Sequence, residues 1–378
     1  MDQHSIALDN RAETNPLFND RKLKLGTFST NLSGGCTASS AEGVLELDWP
    51  NTLTIAELAD EMEFEALVPV GRWKGFGGDT NFNGDGFECY TWAAGISALT
   101  ENTGIFSTSH VPTVHPCMAA KQGMTIDHIS NGRFTLNIVC GWYKPEIEMF
   151  GRDILEHDRR YDMAREWIEI IQKLWTSEEE FDYDGEFYQV KKAICGPLPV
   201  QRPYPAIMSA GSSDIGRAFA VKYADVGFTA HQGRSPDEMK KVIKAYEGDA
   251  WNDHRRKVSV WTNAYIYHGE TEKEAREFYD YVVNTKGDHS GADNLVSILG
   301  LDKAYIPPER LKVMKQHIMA GWGGWPLIGT TEQIVDGLKA IADMGYAGTL
   351  LSWPKYVEGM THFRDHIYPL VVEAGLRD

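Results

Sequence analysis

Buried polar groups must find partners, so a polar residue inside an apolar segment is the first place to look for chemistry. Asn137 interrupts the run RFTLNIVCGW, residues 133–142, and reads as an amide that bonds a polar ligand. The segment IFSTSH, residues 105–110, puts Ser107 and Ser109 on one face and Phe106, Thr108 and His110 on the other. Alternation alone does not say which face points inward. The loop GRWKGFGG, residues 71–78, offers glycines for close backbone approach and Arg72, Trp73 and Phe76 for stacking on a flat ligand; a merely flexible loop fits it equally well. In EHDRRY, residues 156–161, two arginines could grip a phosphate, or lie on an exposed charged face. The turn SAGSSDIG, residues 209–216, could bind an anion at a helix start, or simply cap that helix.

Other chemistries lack their residues. The twelve histidines are scattered, and no ligand cluster for a metal is visible. There is no P-loop, no G-x-S-x-G elbow and no dinucleotide fingerprint opening a strand–helix turn. The five cysteines, Cys36, Cys89, Cys117, Cys140 and Cys195, are odd in number and form no C-x-x-C. Lysine and arginine total 37 against 54 aspartates and glutamates, a net charge of −17. That field disfavours nucleic acid and anionic membrane surfaces as partners. No apolar run approaches the length of a spanning helix and no signal-like segment opens the chain, so a cytoplasmic protein is expected. Residues 1–22 are expected to form an N-terminal arm, loosely ordered or held by a partner.

Something must hold these residues together, and the hydrophobic pattern says what. Strands are expected at 23–30, 65–70, 104–109, 133–140, 206–210, 226–230, 258–268 and 347–352, each followed by a helix. Pro116 and the pair Ser235 and Pro236 suit helix starts, and Thr271 with Glu274 reads as a capping box. An extra helix is expected over 331–343, and FDYDGEFY reads as a hairpin around Asp184 and Gly185. Eight strand–helix units favour a single α/β domain over 23–378, a (β/α)₈ TIM barrel with insertions at 31–49, 176–205 and 286–326. In such barrels the residues just past the strands form the site.

RFTLNIVCGWYKPE, LEHDRRYDMAREWIEIIQKLW, DGEFYQVKKA, AGSSDIGRAFA and PLIGTTEQIVDGLKAIADMGYAGTLL together resemble the bacterial-luciferase-like flavin monooxygenases. The resemblance is closest to the pyrimidine and dimethyl-sulfone monooxygenase branch, over roughly residues 22–375. It implies a (β/α)₈ barrel that takes reduced FMN from a separate flavin reductase and inserts one atom of dioxygen into a small-molecule substrate. It implies FMN contacts at Gly71, Arg72, Asn137 and Glu146, phosphate contacts at Arg160, Tyr161 and Ser213, and a dioxygen site framed by Thr108 and Asn137. Where luciferases proper carry a histidine base past the second strand, Gly71 and Arg72 stand here. A homodimer or homotetramer is expected.

Trp73, Phe76, Trp142, Trp322 and Trp325 could wall a substrate site, which suits a neutral nitrogen heterocycle or sulfone better than an organic anion. Segment 286–326, ending MAGWGGWP, reads as a lid with glycine hinges, or equally as a subunit contact. The rival functions are a deazaflavin-dependent dehydrogenase or reductase on the same barrel and a non-catalytic flavin-binding protein.

Overall fold

Side chains alternate between inside and outside along eight short parallel strands, and this alternation builds the molecule. The computed structural model describes residues 9–211, 213–231, 234–301 and 306–378. The strands are β1 (Lys24–Phe28), β2 (Ala66–Val68), β3 (Ile105–His110), β4 (Phe134–Val139), β5 (Ala206–Ser209), β6 (Val226–Phe228), β7 (Ser259–His268) and β8 (Gly348–Ser352). Each pairs in parallel with the next, and β8 returns to β1, so the sheet closes into the expected eight-stranded barrel. Val68, Phe106, Met208, Trp261 and Leu350 fill its interior. Residues of opposite parity, such as Ile105, Phe134 and Leu136, join the helices in an outer core with Trp167 and Ile171.

The helices begin where their caps stand. Ser235 and Thr271 both form full capping boxes with Glu238 and Glu274, each cap being worth about 1 kcal/mol. The extra helix spans Thr331–Asp343. The hairpin forms from Phe181–Asp184 and Gln189–Ala193.

Two features depart from expectation, the packed arm and an added strand. From residue 9 the arm packs on the barrel itself: Asn15 Nδ2 donates to Phe134 O, Thr135 Oγ1 and Gln201 Oε1, each at 3.1 Å, and Leu17 joins the interior core. Residues 1–8 lie outside the described residues. The segment 286–326 folds into helices His289–Ile298 and Pro308–Gly321, with 302–305 outside the described residues. Its end then becomes part of an unexpected strand, Trp325–Gly329, which pairs with the second half of β7 on the edge that β6 leaves.

Candidate active site

On β3 and β4 the parity left open by the sequence is settled. Phe106 belongs to the interior core, so Thr108 and His110 face inward too. Thr108 and Asn137 are register partners. Asn137 Nδ2 donates to Thr108 Oγ1 at 2.9 Å, and Thr108 Oγ1 donates to Pro69 O at 2.5 Å. Asn137 Oδ1 is buried with no protein partner. The pair is therefore prealigned, and its free acceptor is the carbonyl of Asn137.

Above this layer lies a cavity of about 530 Å³ at the C-terminal ends of the strands, within the usual range for cofactor sites. Val139, two residues beyond Asn137, lines it with Phe28 and Phe228. One end is built from Arg160, Tyr161, Gly211 and Ser213. Arg160 donates to Gly141 O at 2.6 Å, which leaves its Nε buried and unpaired. Ser213 caps the ten-residue helix Asp214–Tyr223, accepting from Gly216 N at 3.1 Å. A Cβ on Gly211 or Gly216 would come within 2.9 or 2.6 Å of the Tyr161 hydroxyl. The glycines thus keep a small polar cradle open, with a cation, a phenol and a helix N-terminus around it, all suited to a phosphate. Segment 286–326 contributes to the wall as well: Leu295, Leu299, Met314 and Ile318 line the cavity.

Arg72 and Glu146 meet in a buried ion pair, with Arg72 Nη1 donating to Glu146 Oε2 at 3.1 Å. Glu146 Oε1 also accepts from the backbone N–H groups of Trp73 at 2.6 Å and Lys74 at 3.2 Å. The guanidinium lies over Phe76, Trp142 and Tyr143 at 4.7, 5.2 and 5.4 Å. Glu146 is thus the anchor of the loop after β2. Gly71, Arg72, Thr108 and His110 share a smaller recess of about 60 Å³. Burial first, and the charge of Arg72 second, push the His110 imidazole down to about 3, so it is neutral at physiological pH. Burial pushes the Cys140 thiol up to about 12, an inert wall rather than a nucleophile.

The five aromatic residues divide. Trp142 and Trp322 line the cavity, and Phe76 packs against both, at 6.0 and 5.5 Å between ring centroids. Trp73 is 45% exposed and meets Phe150 edge-on instead. Trp325 turns to His231, at 4.7 Å. The sequence reading missed Asn263 and His317, which also line the cavity. Asn263 could have been found as Asn137 was, since it interrupts the run VWTNAYIY on β7. His317 sits on the helix Pro308–Gly321 and hydrogen-bonds the Tyr265 hydroxyl at 2.8 Å; no local pattern marks it. Among the described residues no group of histidine, cysteine, aspartate and glutamate side chains could hold a metal ion, and no helix is long and apolar enough to cross a membrane.

The luciferase-like monooxygenase family model matches residues 23–348. This chain belongs to that family. An FMNH2-dependent dimethylsulfone monooxygenase of Pseudomonas putida is 30% identical over 93% of this chain and 96% of its own length. A pyrimidine monooxygenase of Yersinia enterocolitica is also 30% identical, over 92% of this chain and 95% of its own. Among solved structures, DmoA from Hyphomicrobium sulfonivorans superposes with a TM-score of 0.82 at 19% identity, covering 95% of this chain and 90% of the other. As a luciferase-like monooxygenase the chain is an oxidoreductase, and its cavity stands at the end of the barrel where this fold places its chemistry.

Proposed function

We propose that this protein is the oxygenase of a two-component system, taking reduced FMN from a separate flavin reductase and using dioxygen to oxygenate a small neutral substrate, a nitrogen heterocycle or a sulfone. The observation that carries the reading is the unpaired, buried Arg160 Nε beside the glycine cradle at one end of a cavity of about 530 Å³. Arg160, Tyr161 and Ser213 would hold the FMN phosphate. Gly71, Arg72 and Asn137 would flank the ring system, with Glu146 fixing Arg72 and the loop. Reduced FMN supplies the electrons that activate dioxygen, and the protein supplies position, electrostatics and dryness.

Asn137 Oδ1 and Thr108 Oγ1 present prealigned polar atoms beneath the cavity floor, where dioxygen would be received. The lid leucines, Met314 and Ile318 exclude water, which protects the reaction from unproductive loss of hydrogen peroxide. Trp142 and Trp322, with Phe76 behind them, offer flat apolar surface to the substrate. The two 30%-identical relatives name a pyrimidine and dimethylsulfone, both small and neutral, and the net charge of −17 opposes the approach of an anion.

The reading is tested by anaerobic titration of the protein with reduced FMN and, separately, with a deazaflavin, followed by admission of dioxygen. Preferential binding of reduced FMN and its oxygen-dependent turnover are expected. Tight deazaflavin binding that supports substrate turnover without oxygen uptake would replace this reading with hydride transfer.

A further inference from the structure

Two of the five cysteines, Cys117 and Cys195, are brought to one place far apart in sequence. Cys117 is the second residue of the helix Pro116–Ile129, which His115 caps. Cys195 lies two residues beyond the hairpin strand Gln189–Ala193. The hairpin meets the start of that helix: the Tyr188 ring packs edge-on against His115 at 5.8 Å, and the Tyr188 hydroxyl donates to Val111 O at 3.1 Å. The segment after the hairpin then runs along the helix. Lys121 Nζ donates to Gly196 O at 2.5 Å, His128 Nε2 lies 2.9 Å from Leu198 O, and Asp127 accepts from Val200 N and Gln201 N at 2.7 and 3.0 Å. Cys195 stands one residue before the contact with Lys121, and Cys117 one helical turn before Lys121. The pair is thus bracketed between the His115 and Lys121 contacts, and both side chains belong to one apolar cluster. Neither lines the cavity at the barrel mouth.

The two thiols also differ from the rest in chemistry. Burial drives Cys36 and Cys140 up to about 12 and Cys89 further, so none of those three ionises at neutral pH. Burial raises Cys117 and Cys195 by less; the neighbouring Cys195 adds to the rise at Cys117, while Lys121 favours the Cys195 thiolate. Cys117 is half-buried, and Cys195 is buried behind it. We propose that Cys117 and Cys195 form a redox modification site, which hydrogen peroxide closes into a reversible disulfide. This oxidant forms wherever reduced flavin meets dioxygen without a substrate, so the pair stands within reach of its source. Cys117, the more accessible thiol and the one at a helix N-terminus, attacks one peroxide oxygen as its thiolate. The O–O bond breaks, the leaving hydroxide takes a proton to become water, and Cys117 is left as a sulfenic acid. The Cys195 thiolate then attacks the Cys117 sulfur, the S–O bond breaks, and a second water leaves. In sum two thiols give up two electrons and two protons, and one peroxide becomes two waters. The bridge ties the segment after the hairpin to the helix Pro116–Ile129 and protects Cys117 from irreversible oxidation.

The test uses the full-length protein, reduced, freed of reductant and exposed to graded hydrogen peroxide. Remaining thiols are blocked with N-ethylmaleimide, and the protein is digested without reduction for mass spectrometry. A linked pair of peptides carrying Cys117 and Cys195 is expected, two hydrogens lighter than the separate peptides. Two of the five thiols should be lost to blocking together, and dithiothreitol should restore both. Cys36, Cys89 and Cys140 should stay open to blocking in the unfolded digest. Cys195→Ala should abolish the link and leave a sulfenic acid at Cys117 that dimedone traps. Should that buried variant unfold, Cys117→Ser, at the half-buried position, should abolish the link and leave Cys195 reduced. Oxidation of Cys117 to sulfinic acid while Cys195 stays reduced overturns the proposal. So does a link that uses another cysteine or joins two molecules, and so do five intact thiols after a dose that oxidises the exposed Met118. The result does not depend on flavin binding, so failure of the oxygenase reading leaves the test intact.

Discussion

Arg160 spends one guanidinium N–H on Gly141 O and keeps its buried Nε free. Arg160→Ala should therefore weaken FMN by about 1.5–3 kcal/mol, tenfold or more, with little change in thermal stability. Fluorescence titration checks it, and unchanged affinity places the phosphate elsewhere. Thr108 and Asn137 act as a pair, because Thr108 Oγ1 accepts from the amide while donating to Pro69 O. Thr108→Val orphans Asn137 Nδ2, and Asn137→Ala removes the free carbonyl. Both variants should still bind flavin but release hydrogen peroxide at the expense of product; normal coupling in both moves the oxygen site away from them. Asn137 was legible in the sequence because it stands alone in an apolar run. Asn263 gives the same signal but is camouflaged by the threonine and tyrosines around it. Glu146 was legible only through resemblance, since its work is to hold a loop distant in sequence.

The loop after β2 and the helix His289–Ile298 are joined by one carboxylate. Asp288 accepts from Asp79 N, Thr80 N, Thr80 Oγ1, Ser290 Oγ and Gly291 N at 2.6–3.0 Å. Burial raises its pKa, but the hydrogen bonds from Thr80, Gly291 and Asp79 outweigh that and hold it at about 2. Gly78, at φ 81°, lies so close that a Cβ would meet Gly291 N at 2.4 Å. The Gly-Phe-Gly-Gly run, residues 75–78, thus packs against the helix His289–Ile298. Asp288→Ala should loosen both partners: hydrogen exchange over 76–80 and 289–298 should accelerate together, by at least about 2 kcal/mol of local stability. Unchanged exchange contradicts the latch. Eight strand–helix units were legible because each has its own hydrophobic period and several helix starts carry a cap. The strand Trp325–Gly329 was not: the glycines before it and its own Pro326 read as a hinge, and its pairing edge exists only because β7 outruns β6.

At the scale of the molecule, charge is buried at the barrel's floor as well as its mouth. Arg377 and Glu65 are fully buried at 2.6 Å, and Arg377 also donates to Met62 O and Glu63 O. Arg377→Ala removes the charged partner of Glu65 Oε2 and two bonds to backbone carbonyls, while Arg21 and Asn19 still hold Oε1; it should cost about 1.5–3 kcal/mol in denaturant unfolding, and a change under about 0.5 kcal/mol contradicts the ion pair's structural role. Acid should act through the histidines first. Burial and neighbouring charge push His110 down to about 3 and His231 to about 4. The unfolded chain binds protons that the folded one refuses, so stability falls as pH drops below about 6.5. Asp288 adds its loss only below about 3.9. Denaturation midpoints should be lower at pH 5 than at pH 7, and equal midpoints contradict the assignment. The barrel was legible from periodicity, but the directions of Trp73 and Trp325, away from the cavity, depend on packing against Phe150 and His231 that no local pattern encodes. The central claim is that the cavity uses reduced flavin to place oxygen on a substrate. Turnover of a small cyclic amide with reduced FMN, a generic flavin reductase and ¹⁸O-labelled dioxygen, read by mass spectrometry, tests it most directly. The account predicts one labelled oxygen atom in the product; an oxidised product without label, formed at the same rate when dioxygen is excluded, contradicts it.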